Sequence, residues 1–168
     1  MADIVLATFN ARYGHCSFGL RCLMANLGGL APRARLLELN SGLRTAEAAE
    51  AILIQDPRIL GLGVYVWNAQ ESAMLAAELK RLRPGLIIVL GGPEVSHETL
   101  EQQICRDADY VIKGEAETAF PKLCRSLLAG QAPAEKIIAA AAPDLEQLAL
   151  PYSQYTEDRK STRLNPVT

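Results

Sequence analysis

Four short stretches of the chain combine residue types that could grip a ligand. In Gly91-Gly-Pro-Glu-Val-Ser96 two glycines follow an apolar run directly, and a backbone without Cβ atoms lets a ligand approach where any side chain would collide. A plain tight turn needs one glycine, so the pair marks Gly91 and Gly92 as a ligand seat, with Pro93, Glu94 and Ser96 beside it. Lys113-Gly-Glu-Ala-Glu117 adds Gly114 and two carboxylates. Glu115 and Glu117 could touch a ligand or could favour the positive end of the helix that follows. Gly61-Leu-Gly-Val-Tyr-Val-Trp-Asn68 carries the single tryptophan. Its Tyr65 and Trp67 offer flat apolar walls for a ring system, or else pack in the core and over a helix. Asn10-Ala-Arg-Tyr-Gly-His-Cys-Ser-Phe-Gly19 is longer than the roughly 2–6 residues a structural strand-to-helix loop requires, so Asn10, Tyr13 and His15 read as part of a binding loop.

Other chemistries are poorly served. No Gly-x-Gly-x-x-Gly follows the first strand-like run and no phosphate-binding Walker sequence occurs, which disfavours a nucleotide-dependent enzyme. A phosphoryl-accepting receiver would need clustered acidic residues where the chain reads Ala7-Thr-Phe-Asn10, and a flavin-phosphate loop would be dense in Ser, Thr and Gly where this loop is bulky and basic. His15 and His97 have no third partner at hydrolytic or metal-site spacing. Cys16, Cys22, Cys105 and Cys124 lack the close pairs that bind zinc or iron–sulfur clusters and read as reduced, mostly buried thiols.

The elements that must position these loops are apolar, β-branched runs alternating with stretches of helical period, the pattern of βα units on a parallel sheet. Strands are expected at Ile4–Thr8, Ala34–Leu39, Ile59–Val66, Leu86–Leu90 and Tyr110–Ile112, and helices at Ser17–Leu27, Thr45–Ile54, Ala69–Leu82, His97–Arg106 and Glu117–Leu128. Asn68 and Ser96 are expected as side-chain caps of the third and fourth helices. Five right-handed units predict a three-layer α/β/α, flavodoxin-like (Rossmann-like) doubly wound sheet in the order 2-1-3-4-5. Ligands on such sheets bind beyond the carboxyl ends of the strands, which is where all four loops fall.

The 168 residues, 49% hydrophobic, suffice for one core. The net charge is −2 with Lys and Arg scattered, so nucleic acid is not an expected partner. No apolar run approaches the roughly 20 residues that span a bilayer, and a soluble cytoplasmic protein with no membrane partner is the simplest reading. Residues 1–142 are read as the α/β domain and 143–157 as a linker, with Pro143, Pro151 and no clear period. Residues 158–168 resemble a translated sequencing adapter and are set aside as a non-native tail, so the natural chain is expected to continue.

Taken together, Asn-Ala-Arg-Tyr-x-His at 10–15, Leu20-Arg-Cys-Leu-Met-Ala-Asn26, Gly63-Val-Tyr-Val-Trp-Asn68, Gly91-Gly-Pro-Glu-Val-Ser96 and Asp109-Tyr-Val-Ile-Lys-Gly-Glu-Ala-Glu117 resemble the N-terminal cobalamin-binding domain of cobalamin-dependent radical S-adenosylmethionine proteins. The resemblance implies that the domain holds cobalamin with its nucleotide tail between the loops ending strands 1, 3 and 4. It also implies a partner domain at the C-terminal side, carrying a 4Fe-4S cluster and S-adenosylmethionine. No Cys-x-x-x-Cys-x-x-Cys triplet stands in this chain, so the fragment is not expected to be catalytic alone. The Asp-x-His-x-x-Gly of histidine-ligating relatives is also absent, with Asn10-Ala-Arg12 at its start. His15 has the wrong spacing to Gly19 for that motif, so the expectation is cobalamin held without a lower histidine, with His15 hydrogen-bonding in the loop. The competing reading is a stand-alone flavodoxin-like sensing or interaction domain without a cofactor.

Overall fold

A computed structural model describes residues 1–11 and 16–155. Its strands are β1 (Ile4–Asn10), β2 (Ala34–Asn40), β3 (Ile59–Gly63), β4 (Ile87–Gly91), β5 (Tyr110–Lys113) and β6 (Ile137–Ala139). They form one sheet in the order β2-β1-β3-β4-β5-β6, with every neighbouring pair parallel. The helices are α1 (Phe18–Ala25), α2 (Thr45–Leu53), α3 (Ala69–Leu82), α4 (Pro93–Ser96), α5 (Gln103–Asp107) and α6 (Ala119–Leu128).

Two apolar layers sandwich the sheet, because strands covered on both faces alternate their side chains between two cores. Val5, Ala7, Phe9, Leu60, Leu62, Ile88 and Leu90 meet α2, α3 and α5. Ile4, Leu6, Ile59, Val89, Tyr110 and Ile112 face Leu20 of α1 and Phe120, Leu123 and Leu127 of α6. Among the described residues no helix is long and apolar enough to cross a membrane.

The five-strand expectation is corrected by one strand. β6 extends the sheet beyond β5, with Val111 opposite Ile137 and Lys113 opposite Ala139. It has three residues and runs straight into the small-residue stretch Ala139–Ala142, so it presents too little periodicity to read as a strand. The third strand ends at Gly63, not Val66, because the chain turns there: the Asn68 amide donates to the Tyr65 carbonyl at 3.0 Å. Of the single helix expected at His97–Arg106 only the last part forms, as α5, and the separate single turn α4 lies before it. Glu98 between them takes a left-handed φ of 47°, and Thr99 Oγ1 donates to the Val95 carbonyl at 2.8 Å. Residues 143–155 run back over α1, where Pro151–Gln154 form a 3₁₀ turn and Pro151 and Tyr155 are buried. Tyr13, His15 and the residues 158–168 read as a tail lie outside the described residues.

Candidate functional site

Side chains of alternate residues on β1, β3, β4 and β5 point toward α1 and α6, and on this face the sheet is missing three of them. Gly61 and Gly63 occupy successive inward positions of β3, and Gly91 lies directly opposite Gly63 on β4. At Gly61 the gap is filled from within, since an added Cβ would lie 2.8 Å from both Leu6 and the Phe120 ring. At Gly91 it is open: a Cβ there would meet nothing within 4 Å. The result is a slot of about 370 Å³ beneath α1, opening at the carboxyl ends of β3, β4 and β5. Gly19, Leu20 and Leu23 of α1 wall it on one side, and Ile112 and Phe120 on the other. Its volume falls in the roughly 300–1,000 Å³ range of small-molecule sites, and its lining is mostly apolar.

Of the residues singled out in the sequence, Tyr65, Gly91, Gly92, Pro93, Ser96, Gly114 and Glu115 all line this slot. Gly92 does so for a backbone reason. Its φ of 111° suits glycine, and a Cβ would lie 2.3 Å from the Val64 carbonyl oxygen. Gly114 also takes a positive φ, 88°. Ser96 is not a helix cap: its hydroxyl donates to the Gly92 carbonyl at 2.9 Å and accepts from the Gly114 amide at 3.4 Å, tying the loops after β4 and β5 together. Tyr65 stacks on Trp67 with ring centroids 4.6 Å apart and planes within 7°. Burial pushes the Tyr65 phenol up from its ordinary range, with a hydrogen bond to Ser17 opposing the shift.

Asn10, Trp67, Asn68 and Glu94 lie outside the slot lining. Trp67 is 53% exposed above it, and the Glu94 carbonyl accepts from Gln102. Asn68, 1% exposed, stands at the start of α3, but its side chain turns inward. Its Oδ1 accepts from the Tyr65 amide at 2.8 Å, and its Nδ2 donates to Thr8 Oγ1 at 3.1 Å and to the Phe9 carbonyl at 2.9 Å. Asn68 thus knots the ends of β1 and β3 to α3 and fixes the loop that carries Tyr65.

Asn10 belongs to a charged cluster behind α1. Its Nδ2 donates to Glu38 Oε1 at 3.3 Å, the Ser17 amide donates to the same oxygen at 2.5 Å, and Arg21 grips both Glu38 oxygens at 2.8 and 2.7 Å. Both side chains are buried, Arg21 3% and Glu38 7% exposed. Burial opposes ionisation of Glu38, but the Arg21, Ser17 and Asn10 donors win and hold its carboxyl at about 2. Sequence reading missed Gly61, Gly63, Leu20, Leu23 and Phe120. The signal for the first two was present as a glycine at every second position of an otherwise bulky strand. The helical residues carried none, because their apolar character is explained equally well by the core.

Residues 4–124 match the family model described as the B12 binding domain. This chain belongs to the B12-binding domain family. The B12-binding domain is 36% identical over 77 residues to the 2-(S-pantetheinyl)-carbapenam-3-carboxylate methyltransferase of Streptantibioticus cattleyicolor, an alignment covering 45% of this chain and 11% of that protein. Its fold is similar to that of the radical S-adenosylmethionine methyltransferase TsrM of Kitasatospora setae, solved with cobalamin and a 4Fe-4S cluster bound. The TM-score there is 0.61 at 19% identity, over 81% of this chain and 28% of that one. A second TsrM structure, with tryptophan substrate and an S-adenosylmethionine analogue, matches with the same score. The chain therefore spans a small part of the length of the relatives it matches.

The slot suits part of such a cofactor. It is too small for a whole corrinoid, but it offers an apolar cleft open at the sheet edge, and at Gly91 the missing Cβ leaves room that no atom of the described residues fills. Among the described residues no cluster of three or more His, Cys, Asp or Glu side chains is arranged to hold a metal ion.

Proposed function

We propose that this B12-binding domain holds cobalamin by inserting the nucleotide tail into the slot beneath α1, with the corrin ring outside at the sheet edge, in the service of a B12-dependent radical S-adenosylmethionine enzyme of methyltransferase type. The observation that carries the reading is the wall where Gly63 pairs with Gly91, open at Gly91 and facing an otherwise apolar cleft. An apolar cleft favours the heterocyclic base of the tail, whose transfer from water is the main source of binding free energy. At the mouth, the Ser96 hydroxyl has its proton committed to Gly92 and one lone pair to Gly114, which leaves it able to accept from a ribose hydroxyl. Gly92 and Gly114 let the two flanking loops turn tightly enough to keep the mouth open. When bound, cobalamin supplies a cobalt-centred carrier for a methyl group; the protein's part is to fix the cofactor and shield its tail from water.

Tyr65, braced by Asn68 and stacked on Trp67, forms the side of the mouth nearest β1. Tyr13 and His15, outside the described residues, are kept in this reading as cofactor-binding residues, with His15 not a cobalt ligand. The partner domain carrying the iron–sulfur cluster and S-adenosylmethionine would meet the exposed Trp67 edge. A cofactor-free interaction domain has no use for an unfilled slot through its sheet edge, and family membership weighs against that alternative as well. Gel filtration of the protein mixed with hydroxocobalamin tests the proposal. Co-elution of the corrinoid absorbance with the protein is the expected result, and separation of the two would overturn it.

A further inference from the structure

The slot has one wall that the sheet does not hold by itself. Helix α1 is eight residues long, too short to be stable without tertiary support, and it presents Gly19, Leu20 and Leu23 to the cavity. On its inner end it is fastened to β2 by the Arg21–Glu38 pair. On its outer side it is held by the far C-terminal part of the described chain. Asn26, at the end of α1, donates through Nδ2 to the Ala149 carbonyl at 3.0 Å and accepts through Oδ1 from the Ala149 amide at 2.9 Å. The Pro151–Gln154 turn packs on the helix, and the buried Tyr155 ring lies over the Arg21 guanidinium, 4.9 Å from its carbon to the ring centroid. Residues 144–155 lie beyond residue 124, where the family match ends.

We infer that residues 144–155 act as a strap that positions α1 and so sets the width of the cofactor slot, with Tyr155 and Asn26 as positioning residues. The inference rests on the cobalamin reading of the slot. A helix clamped between a buried ion pair and a strap has two arrangements, fastened and loosened, and a ligand wedged under it binds the fastened one better. Binding and fastening are then reciprocally coupled: whatever loosens the strap weakens the cofactor, and the cofactor protects the strap. The aromatic ring also keeps water from the Arg21–Glu38 pair, so the strap strengthens the inner fastening too.

Hydrogen exchange of the whole chain, with and without hydroxocobalamin, tests the coupling alongside titrations of Tyr155→Ala and Tyr155→Phe. Cobalamin is expected to slow exchange in 144–155 together with α1. Tyr155→Ala is expected to weaken cobalamin binding by about tenfold, a moderate coupling, while Tyr155→Phe retains the ring over Arg21 and restores affinity. Exchange of the central β4 amides should be the same in Tyr155→Ala as in the wild type, which separates a loosened wall from a generally destabilised fold. The strap inference fails, with the cobalamin reading intact, if wild type binds but exchange in 144–155 is unmoved or Tyr155→Ala binds as tightly. If wild type binds no cobalamin, the reading of the slot falls and the coupling falls with it.

Discussion

Gly91 and Gly92 are chain neighbours that lack side chains for different reasons. Gly92 sits at φ 111° with the Val64 carbonyl where its Cβ would go, so Gly92→Ala should destabilise the fold by about 2 kcal/mol or more, read from urea unfolding. An unchanged unfolding midpoint would show that the loop after β4 is adaptable. Gly91 faces open cavity, so a side chain there alters the slot and spares the fold. Paired glycines in a sequence therefore indicate a close approach of something, but only the geometry distinguishes a ligand from the protein's own backbone. Glu38 supplies a second prediction at this scale. Its carboxyl is held at about 2 against an ordinary 4.5, so its stabilisation is complete above pH 4.5 and is lost as the pH falls from there through about 2. The span corresponds to on the order of 3 kcal/mol. Glu38→Gln should remove that acid dependence and, by leaving Arg21 buried without its partner, cost about 3–5 kcal/mol at neutral pH. Urea unfolding followed from neutral pH downward checks both, and parallel curves for wild type and variant would contradict the assignment.

At the scale of elements, the loop that carries Tyr65 is held by one side chain. Asn68→Ala leaves the Tyr65 amide and the Thr8 hydroxyl short of partners at the junction of β1, β3 and α3, and should cost about 2–3 kcal/mol in unfolding experiments. A loss below about 0.5 kcal/mol, the range of ordinary surface changes, would mean that the knot is dispensable. The same residue shows what a sequence can and cannot convey. Asn68 followed by Glu71 has the spacing of a capping pair, and α3 does begin at Ala69, so the boundary was legible. The partners of its Nδ2 on β1 were not, because they lie about 60 residues away. Likewise the strong periodicity of Ala69–Leu82 located α3 to the residue, whereas the break between α4 and α5 depends on a left-handed Glu98 that no pattern announces. β6 was missed because three residues carry almost no period.

For the molecule as a whole, the βα alternation led to the parallel sheet and to the carboxyl edge as the place to look, and those two steps followed from chain periodicity and the handedness of crossovers. The slot itself depends on register. That Gly63 stands opposite Gly91, with Gly61 two residues before it, is a property of how β3 and β4 pair, and 28 positions of sequence separate the two glycines. The position of α1, which closes the slot, depends in turn on contacts from residues 149–155 at the other end of the chain. The cavity is therefore a product of the assembled sheet, a short helix and its strap, and no single motif contains it.

The most direct test is a spectroscopic titration of wild type and Gly91→Val with hydroxocobalamin, each checked for the same far-ultraviolet circular dichroism and unfolding midpoint. Wild type should bind, and Gly91→Val, equally folded but with two methyl groups projecting into the slot, should lose at least about 100-fold in affinity, the equivalent of roughly 2.7 kcal/mol. Equal binding by the two proteins would contradict the assignment of the slot, and absence of binding by the wild type would contradict the cobalamin reading itself.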